Sequence, residues 1–347
     1  LFLLGISSSV AALETTASDA LQVLVDEASE RRVSLRDRLD RDPMNIDDVD
    51  KQAFWARSIL DRIETIEKSA LSQLEQQTLD ILGWNAWVDT QQPFLYWYYS
   101  PLMPSRSPLR GVRERARRSS FENDADVESY LENVKRTAVA LDTIQARVRG
   151  RLERGIVLPA EQIDRVLPLL REFAASAEAH PLWPSDERLS KLDPETKTGL
   201  LEKLREQIGS DITPRAAAIA NYVDQTVRRH APEATGWGQY PGGKEAYRIA
   251  TKIQTTLDIS PEEVHEIGLA AVADVNRQMA EIRKDLGFQG TKADFHEKLR
   301  KDPRFYVDTP DEFGERLLAF DAKIRPFLDS QFGKKPEAPY TVRRLDP

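Results

Sequence analysis

The sequence predicts an all-α protein, a large multi-helix array joined by irregular loops. Three observations predict it. Apolar residues recur at three-and-four spacing along most of the chain. Polar or proline-led helix starts recur ahead of those stretches. No run of alternating apolar and polar residues marks a set of strands.

The elements follow in chain order. From Asp19 to Leu39, Leu21, Leu24, Val25, Ala28, Leu35 and Leu39 trace one helical stripe. Val49 to Leu82 continues the pattern through Phe54, Leu60, Ile63, Leu71, Leu74 and Ile81. Asp126 to Leu152 is a long amphipathic run carrying Val127, Leu131, Val134, Leu141, Ile144 and Val148. Pro159 suits the first turn of the next helix, which is expected to stop near His180-Pro181, since a residue before proline is pushed out of the helical region. Asp193-Pro194, Thr213-Pro214 and Thr309-Pro310 each read as a cap followed by proline at the first helical position. Ser260-Pro261-Glu262-Glu263 reads as a capping box, opening a helix towards Leu286 with Gly287 as its stop. Gln91 to Gly111 and Thr235 to Gly243 are the most irregular stretches, and a short hairpin near Tyr340 to Arg343 stays open.

Composition narrows the function classes. The 347 residues hold 49 Lys and Arg against 57 Asp and Glu, a net charge of −8, which argues against a dedicated nucleic-acid binder. There is no Cys, so disulfides, thiolate metal sites and Cys nucleophiles are excluded. The four His are His180, His230, His265 and His296, scattered along the chain. Leu1 to Leu13 is apolar and then small, too short to span a bilayer but similar to the back half of a secretory signal without its basic start. A buried apolar segment is the alternative. The signal reading predicts a secreted or periplasmic protein with no stable membrane insertion. The expected organisation is a signal remnant over 1–13, an N-terminal helical region over 14–235, and an incomplete second helical domain over 236–347.

The familiar catalytic motifs fail residue by residue. A zinc helix of the form His-Glu-x-x-His places two imidazoles on one face. After His265-Glu266 the required position is Leu269, and after His296-Glu297 it is Arg300. No Gly-x-Ser-x-Gly elbow occurs. Pro241-Gly242-Gly243-Lys244 is followed by Glu245 and so lacks the phosphate-loop spacing; it reads as a turn, or as backbone able to approach a substrate closely. Phe94 to Tyr99 (FLYWYY) is either an aromatic core or one wall of a cleft. Arg106, Arg110, Arg113, Arg115, Arg117 and Arg118 form a basic cluster, diluted by Glu114 and by the acidic stretch from Glu122 to Asp126. It is either a solvated helix face or a site for an anionic ligand such as a peptide carboxylate.

One ordered set of motifs is more specific. Gly238 to Tyr247 (GQYPGGKEAY) is followed by Thr255-Thr256, Ser260 to Gly268 (SPEEVHEIG), Gly287-Phe288 and Leu299 to Tyr306 (LRKDPRFY). With Tyr98 to Arg110 (YYSPLMPSRSPLR), this set resembles the domain of unknown function 885 family (DUF885), a group of gluzincin-type zinc metallopeptidases by resemblance. The resemblance implies a mostly helical fold with a deep cleft, a peptide substrate, and a zinc motif His-Glu-x-x-Pro-Gly-His-His with a further carboxylate ligand. That motif is not in this chain, whose one Pro-Gly pair is Pro241-Gly242. The resemblance places it beyond Pro347, so zinc is expected in a longer parent and no metal ligand or catalytic residue is assigned here. Tyr240, Gly242, Lys244, Tyr247 and His265 are the residues expected near the cleft, where Tyr or His can donate a hydrogen bond to an oxyanion. A packing role remains open for each. The competing class is a non-catalytic helical binding or scaffold protein.

Overall fold

The computed structural model describes residues 16–39, 45–103 and 107–333. Among these, the regular secondary structure is entirely helical. The segment 1–15, Arg106 and the 340–343 stretch lie outside the described residues. Two compact units divide the chain between Pro261 and Glu262.

The first unit opens with α1 (Ala17–Leu39), α2 (Ile46–Ile63) and α3 (Gln73–Leu95). The sequence suggests one helical stretch from Val49 to Leu82, but the chain breaks over 64–72. A capping box explains the restart: Ser72 accepts from the Glu75 amide, and the Glu75 carboxylate accepts from the Ser72 amide. α2 and α3 pack along each other, with Leu24 of α1 buried against Ala56, Ile59 and Ala86.

The main core is built by α4 (Pro108–Arg118), α5 (Asp124–Glu153), α6 (Ala160–Phe173), α7 (Pro194–Gln207) and α8 (Thr213–Gln225). The long α5 is its spine. Asn123 caps it by accepting from the Asp126 amide, and its stripe of Tyr130, Leu141 and Ile144 is buried against Ile163, Leu170 and Phe173 of α6. Asp193 caps α7 as its sequence suggests, accepting from the Glu195 and Thr196 amides.

Two boundaries differ from the sequence pattern. Helix α6 ends at Phe173, ahead of His180-Pro181, and a single 3-10 turn fills Ala177–Ala179. Thr213 does not cap a new helix. A π-turn over Ile208–Ile212 joins α7 to α8 without a break, and the Thr213 hydroxyl donates to the Ala175 carbonyl instead. Pro214 has no amide to offer the preceding turn and its ring crowds a carbonyl there, so the backbone widens by one residue.

His180 is a buried neutral group with a defined tautomer. Its Nδ1 accepts from the Leu182 amide and its Nε2 donates to the Phe173 carbonyl. Burial lowers its pKa from 6.5 to about 4, opposed in part by the Phe173 bond. A proton added at Nδ1 would face the Leu182 N–H. Above pH 6.5 the ring is neutral in both folded and unfolded chains. Below it the unfolded chain takes up a proton that the folded chain refuses, so stability falls as pH drops from about 6.5 to about 4, by about 3 kcal/mol in all. Urea midpoints measured across this window should show that slope, and His180→Gln should flatten it while lowering stability overall. An unchanged slope in the variant would contradict the assignment.

Helix α9 (Gly243–Thr255) completes the first unit. The expected second region begins at Gly236, but 236–261 packs within this unit, because Ala246 and Ile249 join Leu95, Tyr98 and Ile156 in one apolar cluster. The second unit carries α10 (Pro261–Asp285, its first residue at the boundary), α11 (Lys292–Lys301) and α12 (Pro310–Gln331). Gly287 takes a left-handed φ of 64° after α10, and Phe288 then donates back to the Arg283 carbonyl, the stop its sequence suggests. Thr309 caps α12 by accepting from the Glu312 amide.

Candidate functional site

The Gly238 to Tyr247 motif and the aromatic segment after α3 meet in one place. Past Leu95 the chain turns through Tyr96, Trp97, Tyr98 and Tyr99, whose carbonyls lie beyond the helical ladder of α3. Two arginines one turn apart on α5 satisfy them. Arg147 donates to the carbonyls of Tyr96 and Tyr99, the latter at 2.6 Å, and Arg151 donates to the carbonyl of Trp97. Arg147 also lies 3.9 Å over the Tyr96 ring, and Arg154 lies 3.8 Å over Trp97. Gly150 lets the indole lie against α5, since a Cβ there would stand 2.5 Å from Trp97. Arg151 is buried, and that burial lowers its pKa to about 10.

The aromatic segment in turn holds the glycine-rich turn. Tyr98 Oη donates to the Pro241 carbonyl at 2.5 Å, across 143 residues of sequence. Tyr240 Oη donates to the Val157 carbonyl. Gly242 sits at φ 69°, directly ahead of α9, and a Cβ on it would meet Tyr98 Oη at 2.7 Å. Gly243 has no such φ but is tighter still: its Cβ would stand 1.7 Å from the Trp237 carbonyl oxygen. Trp237 packs edge-on or tilted against Tyr98, Tyr99 and Tyr247, with ring centroids 5.5, 5.1 and 6.4 Å away.

The sequence-predicted residues therefore separate into three groups. Tyr240 and Gly242 belong to the packing. The Tyr240 hydroxyl is already committed to a carbonyl, and burial raises its pKa, with nearby Arg151 opposing that rise. Lys244 and Tyr247 lie on the exposed side of α9, Tyr247 being 53% exposed. His265 is exposed on α10 in the second unit. So four of the five share one turn and its helix.

Sequence reasoning missed Arg147 and Arg151, and it met Tyr98, Trp237 and Gly243 only as members of longer stretches, without the contacts that join them. A signal was present for the arginines: two cations four apart, beside the buried stripe of Ile144 and Val148, demand a buried partner. Among the described residues, no three His, Asp or Glu side chains converge to hold a metal ion. The basic cluster, where described, lies along α4. Its Arg113 pairs with Glu172 at 3.1 Å and its Arg118 with Glu114 at 2.7 Å, the pattern of a solvated helix face. No helix among the described residues is long and apolar enough to cross a membrane.

With this geometry in place, comparison with known proteins assigns the class. The profile of the family described as "Bacterial protein of unknown function (DUF885)" matches residues 26–347, and the chain belongs to that family. No functionally curated protein matches. Among solved structures, the fold is similar to the crystal structure of the "putative lipoprotein from Colwellia psychrerythraea", with a TM-score of 0.74 and 17% identity. The match covers 93% of this chain and 61% of that one, so this chain spans under two thirds of its structural neighbour.

Proposed function

We propose that this chain is the N-terminal part of a secreted or periplasmic zinc-dependent peptidase-like protein, and that it supplies a substrate-facing aromatic wall. The observation that carries the reading is the outer side of α9. Tyr247 stands half-exposed and edge-on to Trp237, Phe94 is 40% exposed with its ring 5.3 Å from that of Tyr98, and exposed Lys244 precedes Tyr247 by about one turn of α9. Flat amphipathic rings beside a cation suit a peptide side chain and a carboxylate. The zinc of this reading comes from the family resemblance alone, which assigns it to chain beyond Pro347, and no hydrolytic step is given to the described side chains.

The test is peptide binding. A short fluorescent peptide with an aromatic residue and a free carboxylate should quench tryptophan emission on binding the full chain. Tyr247→Ala should weaken that binding about 10-fold, an effect of about 1.4 kcal/mol, without moving the melting temperature. Equal affinity in parent and variant would contradict the assignment.

A second reading has its own support. Tyr240 and Gly242 are consumed in packing, which is what a non-catalytic helical scaffold or binding protein would also show. The reading frame past Pro347 discriminates the two: a His-Glu-x-x-Pro-Gly-His-His motif favours the peptidase, and an immediate stop favours the scaffold.

A further inference from the structure

The second unit carries two long amphipathic helices whose apolar stripes face solvent. On α10, Val264, Ile267, Val275 and Ile282 fall on one stripe and are 37 to 60% exposed. On α12, Phe313, Leu317, Phe320, Ile324 and Phe327 do the same at 38 to 64%. Among the described residues of this unit only Phe295 is buried, against Phe288. Scattered exposed leucines are ordinary, but two continuous stripes of this length mark surfaces that another element covers. The three-and-four periodicity persists along the 25 residues of α10, roughly 37 Å of helix, which is the pattern a helical partner reads. Acidic residues outnumber basic ones on both helices, which disfavours an anionic lipid surface as the occupant.

We propose that the apolar stripes of α10 and α12 seat a further helical segment of the same polypeptide, lying beyond Pro347. The structural neighbour supports this occupant. It shares the fold over 93% of this chain, yet this chain accounts for 61% of it, so there the same fold is accompanied by more chain. The proposal rests on the reading of this chain as an N-terminal part, but not on zinc or on peptidase activity.

The test compares hydrogen exchange in the full 347-residue chain, alone and after co-expression with the separate polypeptide that its reading frame encodes after Pro347. The expected result is a one-to-one complex in which amides of α10 and α12 exchange at least about 10-fold more slowly, while those of α5 to α8 are unchanged. The exposed-face variant Val275→Glu/Ile324→Glu should lose at least about 10-fold in complex affinity, with the melting of the first unit unaltered. Absence of a complex, or a complex without protection of α10 and α12, overturns the proposal, as does a reading frame that ends at Pro347. Self-association of the chain with the same protection would assign the stripes to a second copy instead. Protection by vesicles of zwitterionic and anionic phospholipid would assign them to lipid. Zinc content of the complex reports on the peptidase reading separately: a protected complex with no zinc and no hydrolysis removes that reading and leaves this one standing.

Discussion

Replacing Gly243 by alanine lowers the melting temperature of the first unit by about 10 °C. The added Cβ would stand 1.7 Å from the Trp237 carbonyl oxygen, a backbone atom that cannot rotate away as a side chain would. The Gly243 amide also donates to the Tyr240 carbonyl at 2.9 Å, so opening the turn costs a hydrogen bond as well. Overpacking of this kind costs about 3 kcal/mol. For a unit of this size each kcal/mol is worth roughly 2–4 °C. Gly242→Ala is expected to be milder despite its positive φ, because the nearest obstacle is the end of the Tyr98 side chain at 2.7 Å. Calorimetry on the two variants checks both statements. A Gly243→Ala midpoint within a degree of the parent would show that the turn has more room than its geometry implies.

Arg151→Ala should cost about 3 kcal/mol, through an unpaired buried carbonyl and the void left beside α5. Arg151 is 4% exposed and donates to the Trp97 carbonyl, while Arg147 holds the carbonyls on either side. Arg151→Lys should recover little of this loss, since an ammonium cannot reproduce the planar fork. The signature is a lower urea midpoint together with altered tryptophan fluorescence, because Trp97 loses its anchor while the helices persist. A change under about 0.5 kcal/mol would mean that the arginine is a bystander to the aromatic segment.

The helices were legible because their signals are local. Asp193 and Thr309 announce helix starts within three residues, and both act as caps. Gly287 marks a stop, and its φ of 64° agrees. Where local signals competed, the pattern misled. A continuous apolar rhythm hid the break over 64–72, and Thr213-Pro214 has the form of a cap yet lies at a π-turn. The site was harder to read for a different reason. The bonds that build it join Tyr98 to Pro241, Tyr240 to Val157 and Arg151 to Trp97, partners separated by 143, 83 and 54 residues. No periodicity records such pairings. The motif from Gly238 to Tyr247 reads as a possible substrate contact, yet the Tyr240 hydroxyl is bonded to the Val157 carbonyl and the missing side chain of Gly242 leaves room for Tyr98, while Lys244 and Tyr247 are exposed. His265 is exposed on α10 in the second unit.

The central claim is that this chain positions and recognises while the metal chemistry of the proposed peptidase resides beyond Pro347. The most direct test is zinc stoichiometry by elemental analysis after equilibrium dialysis, paired with a peptide-hydrolysis assay on the same sample. The account predicts well under one equivalent of retained zinc and no zinc-dependent cleavage by the 347-residue chain. One tightly held equivalent per chain, or hydrolysis abolished by a chelator and restored by zinc, would contradict it.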